Sequence, residues 1–505
     1  MAVDKHKNIF INEWQQGIAQ SAHVGFSKFV NMDIVSTPGV VKLSYATGAA
    51  TVPASLVNAV VNFAIDVTNS RVWAQTTDNR TYWTAIGDYL NWTEINIGGY
   101  GGVGCGLVIW ENCLFVMSSN VVNIMTLSGF IAYAGWKSLN TNTPAHFPFV
   151  SRDGVLYIAD GTQVVKLKKV GATFDPATPA TYQYTLGFLD TKTSSVTISC
   201  INEIGTYLAV GTFYGSSLTA GPKVADIFFW NSNLSADQFT TKTTIQESGI
   251  NAMTADGGIL YVQSGLVGNI YAVQPGYVFQ ATKIKSPQYL DFSNNYGAQV
   301  YTFPNAFKKH QNELIWGISY FNSTLNPRGL MSMILDGQLY PMSVKNLPST
   351  GNDGSTGSAQ ILSLLSVDPD TILIGTSNGI DVVGKSVTGN GLRVQGYAGY
   401  VESPLYTVGT NLENVGYTKI GFVLAKKLTT GQGVRIKYRR LLSDSYTTIV
   451  SEIAPTGILD FAALGAVSSY TMPATLTDIE TIQFRIELTS TTGTSPELKE
   501  VQLLV

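Results

Sequence analysis

The chain has 505 residues, 45% hydrophobic and 13% charged, with 31 Lys and Arg against 34 Asp and Glu and a net charge of −3. That length exceeds one simple core and predicts two or three domains, or one large repetitive domain with a smaller companion. Without an excess of basic residues to neutralise phosphates, the composition excludes a dedicated nucleic-acid binder.

The charged fraction is about half the roughly 25% usual in soluble domains, so Thr, Ser, Asn, Gln and Gly must make most of the surface. Such a surface has little self-repulsion and suits a protein packed against neighbours. From Met1 through the phrase Asn8-Ile-Phe-Ile-Asn-Glu-Trp14 and onward, no apolar run reaches the length of a signal peptide or membrane span. The expectation is a chain made and kept in a cytosol, or released by lysis rather than exported through a signal peptide, with no membrane insertion.

Residues 1–50 read as an N-terminal arm, in which Gly39-Val-Val-Lys-Leu-Ser-Tyr45 is the candidate strand that closes a ring with its last unit. From residue 51 to 388 one pattern recurs: an apolar strand, a small-residue turn and a second apolar strand. Its members are Arg71–Gln75 with Thr81–Trp83, Leu107–Trp110 with Leu114–Met117, Val155–Leu167, and Tyr207–Gly211 with Ile227–Trp230. Then follow Ile259–Val262 with Asn269–Val273, Leu314–Tyr320 with Leu330–Ile334, and Ile372–Val383. About seven units at a spacing of roughly 42 to 61 residues match four-stranded propeller blades. The predicted fold is therefore all-β, a β-propeller of about seven blades. A pair of β-sandwiches is the alternative that would imitate the spacing.

Two hairpins are marked by Asp160-Gly161 and Asn378-Gly379, dipeptides that accept the backbone angles of a tight turn. A third is expected at Glu111-Asn112, where Cys113 would face Trp110 and lie too far from Cys105 for a disulfide. Cys105, Cys113 and Cys200 are accordingly read as buried thiols.

Residues 389–505 change character, with Gly389-Asn-Gly391 as the junction. Val434–Arg439 and Ile482–Leu488 alternate apolar and polar residues, as strands covered on one side do, and predict a C-terminal β-sandwich.

No catalytic set emerges, and no metal or cofactor is expected. His6, His23, His146 and His310 have no partner at metal-ligand spacing, and His310 in Lys308-Lys309-His310 reads as a solvated loop. Sialidase chemistry needs an arginine cluster, whereas Arg71, Arg80, Arg152 and Arg328 are scattered, and Ser151-Arg-Asp-Gly154 reads as a hairpin turn. Asp78, Asp153, Asp160, Glu247, Asp256 and Asp381 could supply paired carboxylates but are better read as turn residues. Trp73, Trp83, Trp110, Trp230 and Trp316 could line a sugar-binding face, although their place in strands favours packing between blades. One charge feature stands out. Arg435, Lys437 and Arg439 alternate onto one strand face, with Arg440, Lys426 and Lys427 nearby, forming either a dock for an acidic neighbour or a solvated face.

Phrases at both ends of the chain resemble propeller-type, tail-associated structural proteins of tailed bacteriophages. They are Gly25-Phe-Ser27, Asn31-Met-Asp-Ile34 and Pro38–Leu43, then Ser403-Pro-Leu-Tyr406, Leu428–Arg439, Leu459-Asp-Phe461, Ala463-Leu-Gly465, Phe484–Leu488 and Pro496-Glu-Leu498. The resemblance implies a structural or assembly component of the virion, at the nozzle, hub or host-contacting part. Its partners would be other virion proteins and further copies in a symmetric ring. A glycan-binding or glycan-cleaving propeller, contacting a host surface glycan or receptor, is the competing expectation.

Overall fold

A computed structural model describes residues 9–12, 14, 28–34, 37, 39–44, 47–50, 56, 58–95, 97, 102–139, 145–191, 195–214, 222–231, 239–266, 268–274, 279–286, 299–321, 329–337, 340, 342–345, 360–384, 399–408, 415–426, 428–453, 467–491 and 494–504. The expected junction at 389–391, the phrases 25–27, 459–461 and 463–465, and the candidates His6, His23 and Arg328 fall outside these residues.

Short β-branched and aromatic runs, each stopped by a turn, pair with their sequence neighbours into antiparallel four-stranded sheets. Blade 1 is Val60–Asp66, Arg71–Thr76, Thr81–Ala85 and Thr93–Ile95. Blade 2 is Gly104–Trp110, Cys113–Ser118, Val121–Thr126 and Ala132–Ser138. Blade 3 is Phe149–Val150, Leu156–Asp160, Gln163–Lys169 and Tyr182–Asp190. Blade 4 is Val196–Ile204, Tyr207–Tyr214, Ala225–Asn231 and Thr241–Ile245. Blade 5 is Ile250–Asp256, Ile259–Ser264, Asn269–Gln274 and Gln280–Lys285. Blade 6 is Phe307–His310, Glu313–Phe321, Gly329–Ile334 and Met342–Lys345, with Gln299–Tyr301 also paired to its second strand. Blade 7 is Ile361–Asp368, Thr371–Thr376 and Gly379–Gly384, completed by Thr47–Ala49.

Every blade is tied to the next. The links run from Asn69 to Asn112, Trp110 to the Gly154 carbonyl, and the Arg152 amide to Glu203. They continue from Asn202 to the Met253 carbonyl, Asp256 to Lys309, His310 to Ser366, and Asp368 to Tyr89. The last of these joins blade 7 back to blade 1. The seven sheets therefore form a closed ring, a seven-bladed β-propeller.

Between blades the fit is steric as well as polar. Five inner strands carry one extra residue at the same place, at Val61, Cys105, Ser199, Asn251 and Leu362. Opposite the kink stand Gln75, Met117, Gly211, Gln263 and Gly375 of the second strands. Added methyls at Gly211, at Gly317 of blade 6 and at Gly375 would stand 2.7 Å from Ile250 Cγ2, 2.5 Å from Ile361 Cγ2 and 2.5 Å from the Val60 carbonyl oxygen. In blade 1 the matching residue is Gln75, whose amide reaches the Met117 carbonyl and the Gly106 amide, both 42 and 31 residues away and in blade 2.

The ring-closing strand lies just after the expected one. Thr47–Ala49 pairs with Asp381–Val383, whereas Val41 pairs with Leu498 and Lys42–Leu43 with Met32–Asp33. Val40, Val41 and Leu43 are buried where the two chain ends meet. Two turn positions also shift by a residue. Asp160 pairs with Gln163 and Thr376 with Gly379, so the loops are Gly161-Thr162 and Ser377-Asn378, with Gly379 following at φ +133°. The Glu111-Asn112 turn is as expected, with Trp110 opposite Cys113, and all three cysteines are free and buried. Lys308-Lys309-His310 is not a solvated loop. It is the inner strand of blade 6, because Phe307 anchors it in the core and His310 bonds blade 7.

The C-terminal strands form two sheets. One, the joining sheet, grows out of blade 6: Met342–Lys345 pairs with Lys28–Val30, which pairs with Gly399–Glu402. Next come Thr481–Ser490, Gln432–Arg439 and Thr447–Ile453. The other, the outer sheet, orders Ile9–Ile11, Leu498–Leu504, Val415–Leu424 and Val467–Ile479. Ile420, Phe422, Val501 and Leu503 of the outer sheet share one core with Val434, Ile436, Phe484 and Ile486 of the joining sheet. Trp316 and Met331 of blade 6 and Tyr261 of blade 5 belong to the same core. At about 1.5–3 kcal/mol for each large apolar side chain buried, this cluster fixes both sheets to the ring.

Candidate functional site

The charged face of the joining sheet follows from strand alternation. In Gln432–Arg439, Val434 and Ile436 point into the core, which turns Arg435, Lys437 and Arg439 to the other side. In Thr481–Ser490, Ile482, Phe484, Ile486 and Leu488 take the core, and Gln483, Arg485 and Glu487 share the far side with them. Register then sets Arg435 opposite Glu487, Lys437 opposite Arg485 and Arg439 opposite Gln483. On the other flank, Tyr400 faces Glu487 and Glu402 faces Arg485.

Glu487 is the hub, with Lys437 Nζ at 2.7 Å, Arg485 Nε at 3.4 Å and Arg435 Nη1 at 3.7 Å. Its side chain is 4% exposed, against 29% for Arg435 and 23% for Lys437, so the cations lie over it as a lid. Arg485 also approaches Glu402 at 4.0 Å and stacks 3.5 Å above the Tyr400 ring. Arg439 donates to Gln483 Oε1 at 2.7 Å and covers the Tyr446 ring at 4.7 Å. Burial, helped by the nearby Glu402 charge and opposed by Arg439 and Arg485, pushes the Tyr446 hydroxyl well above its ordinary pKa. Four cations, Arg435, Lys437, Arg439 and Arg485, stand against two carboxylates, Glu402 and Glu487, leaving the face cationic.

Of the residues singled out in the sequence, Arg435, Lys437 and Arg439 do share this face. Lys426 does not: it follows the outer-sheet strand Val415–Leu424 and, 72% exposed, pairs with Glu497 at 2.7 Å. Arg440 sits on the exposed turn beyond the face, and Lys427 lies outside the described residues. The sequence does not single out Glu402, Arg485 and Glu487 as part of this face. The alternation Gln483, Arg485, Glu487 is visible in it, but nothing local says which strand it faces.

A second polar cluster lies within blade 4, where the buried Asp226 accepts hydrogen bonds from Thr244 at 2.5 Å, Tyr214 at 2.6 Å and Lys242 at 3.0 Å. Burial works against its charge, but these three donors prevail and hold its carboxyl below the usual range. Burial and the Asp226 charge in turn raise the Tyr214 hydroxyl to about 12. Burial likewise raises the thiols, Cys105 to about 11 and Cys113 and Cys200 to about 12, so they are poor nucleophiles.

The remaining candidates are structural. Trp73, Trp110, Trp230 and Trp316 are buried between or beside blades. Arg71 stacks between Trp83 and Phe130, Arg80 pairs with Asp78 and Glu94, and Arg152 lies in the first turn of blade 3. Asp381 is not a turn residue; it lies fully buried in the third strand of blade 7. Among the described residues no group of three or more His, Cys, Asp or Glu could hold a metal ion, and no helix is long and apolar enough to cross a membrane.

No family model and no curated protein matches the chain. Solved structures similar to it include a catalytically inactive virginiamycin B lyase from Staphylococcus aureus with quinupristin, at 10% identity and a TM-score of 0.45, covering 67% of this chain and 99% of that one. A Swd1 β-propeller domain from Myceliophteria thermophila has 10% identity and a TM-score of 0.44, covering 65% and 97%. The computationally designed Ika8 protein has 12% identity and a TM-score of 0.41, covering 67% and 100%. Likenesses of this strength bear on no activity.

Proposed function

We propose that the chain is a non-enzymatic structural component of a tailed-bacteriophage virion, tail-associated, acting through protein–protein contacts. The C-terminal strands are read as a β-sandwich presenting the cationic face of Arg435, Lys437, Arg439 and Arg485 to an acidic virion partner.

One observation supports this above the rest. The phrases that resemble phage tail proteins stand at opposite ends of the sequence, yet their residues meet. Met32, Ile34, Val41, Leu43, Leu428, Val434, Ile436, Phe484, Ile486, Leu488 and Leu498 all belong to one core. Val41 exchanges backbone hydrogen bonds with Leu498, and the Leu43 amide donates to Ser495 Oγ at 2.7 Å. The described residues of these phrases lie in one contiguous body attached to the ring, which supports reading the resemblance as a shared architecture.

Mass spectrometry of purified particles tests the proposal: the protein is expected among the particle components, and its absence would end the reading. A glycan array on the purified protein tests the competing one, for which the burial of Trp73, Trp110, Trp230 and Trp316 removes the proposed sugar-stacking rings.

A further inference from the structure

We infer that copies of this chain bind head to tail, the Leu441-Leu442 turn of one copy seating on the corner formed by blades 1 and 2 of the next. The inference deepens the structural reading proposed above and rests on it for the repetition of copies.

Exposed large apolar side chains are unevenly placed. Among the described residues, seven of the nine belong to blades 1 to 3 and their connections, and the other two are Leu441 and Leu442. Lone exposed apolar residues are ordinary, but two such concentrations on one chain are not.

The turn is built to hold its leucines out. Leu441 and Leu442 are 57% and 55% exposed, while the backbone around them is fixed. The Leu441 amide donates to Asp444 Oδ2 at 3.0 Å and the Asp444 amide to the Leu441 carbonyl at 3.0 Å. Arg439 Nη1 donates to the Leu442 carbonyl at 2.8 Å and Thr481 Oγ1 to the Arg440 carbonyl at 2.6 Å. An ordered turn presenting two apolar side chains loses little freedom on docking.

The turns that carry the corner residues are likewise tied to one another. Val67 is 73% exposed, Ile131 57%, Phe130 40% and Ile86 37%. The Ile86 amide bonds the Ser70 carbonyl at 2.9 Å, Asn69 reaches Asn112 of blade 2, and Arg71 stacks 4.7 Å from the Phe130 ring. Their charges are opposite. Arg439 and Arg440 outnumber Asp444 at the turn, whereas Asp88, Asp368 and Asp370 outnumber Arg71 at the corner, where Asp368 meets Tyr89 at 3.3 Å.

Geometry keeps the two apart within one copy. The turn joins the two strands of the joining sheet furthest from blade 6, and blade 6 lies across the ring from blade 2. Unlike poles on opposite sides make a heterologous contact, which propagates from copy to copy and closes into a ring when the rotation permits.

Sedimentation velocity on the full-length protein over a concentration series tests this. Two variants are compared with the unsubstituted protein: Leu441→Asp with Leu442→Asp, and Phe130→Asp with Ile131→Asp. The unsubstituted protein should sediment as several copies and each variant as one, with far-ultraviolet circular dichroism unchanged. A one-to-one mixture of the variants should form pairs and nothing larger, because one intact turn and one intact corner remain between them. Assemblies untouched by the turn variant, a mixture that stays single, or an unsubstituted protein that is single at every concentration would overturn the contact. A chain found in purified particles yet single in solution would sink the contact and leave the structural role standing.

Discussion

The blades and the C-terminal sheets solve the same problem, burying one face of a strand, by opposite routes. A blade pairs residues that are neighbours in sequence, as Trp110 with Cys113. The C-terminal sheets pair residues from the two ends of the chain, as Ile9 with Leu503 and Val41 with Leu498. Polar groups follow the same division. Blades are joined by dispersed, mostly uncharged contacts such as Asn202 to the Met253 carbonyl, whereas the joining sheet gathers its charges around Glu487. Local pairing yields a repeated, divisible body; distant pairing yields a clasp that no single segment can form.

The largest test of that contrast is Phe484→Ala, which empties a fully buried position in the core shared by the ring and both C-terminal sheets. A loss of about 4 kcal/mol is expected. Denaturant unfolding followed by tryptophan fluorescence should show one transition moved to lower denaturant. Two separate transitions would mean that the ring and the C-terminal sheets unfold independently.

Gly375→Val probes the ring alone. Its side chain would collide with the Val60 carbonyl across the seam between blades 7 and 1. About 2 to 3 kcal/mol of destabilisation is expected from overpacking, with raised amide exchange in Val60–Asp66 and no change in Thr481–Ser490. An even rise across the molecule would contradict the local reading.

These two residues also mark what the sequence discloses. The seven hairpins are legible because each pairs strands that follow one another in sequence, where turn chemistry and alternation act together. Gln75, Gly211 and Gly375 even mark equivalent places in the repeat. Alternation in Thr481–Ser490 showed which face is buried but not its partners, since the period-two pattern is silent on pairing across hundreds of residues. That is why Arg435, Lys437 and Arg439 were found while Glu402, Arg485 and Glu487 were not. The closing strand was missed by a few residues for a related reason: Thr47-Gly-Ala49 carries no apolar signal, whereas Val40 and Val41 do, and serve another core.

Smaller effects sharpen the electrostatic side. Glu487→Gln should cost about 2 kcal/mol by leaving three cations over a neutral amide, and added salt should narrow the gap from the parent protein. An unchanged melting temperature would show the cations to be held by stacking instead. For Asp226 the sign follows from its depressed pKa. Its stabilisation is present above the unfolded carboxylate value of about 4 and fades as pH falls through the folded value. Asp226→Asn should therefore cost about 1 kcal/mol at pH 7 and flatten the stability profile below about pH 4. A profile parallel to the parent would exclude Asp226 as a source of acid sensitivity.

Thr47–Ala49 has a consequence for how the molecule is made. Those residues, with Ile9–Ile11 and Lys28–Val30, leave the ribosome well before their mates at Asp381–Val383, Val501–Leu503 and Tyr400–Glu402. Blades 1 to 5 can mature one after another during translation while the leading segment waits. Completion is thus gated by synthesis of these later strands, and a product terminated before Asp381 would carry finished blades but neither a shut circle nor a clasp.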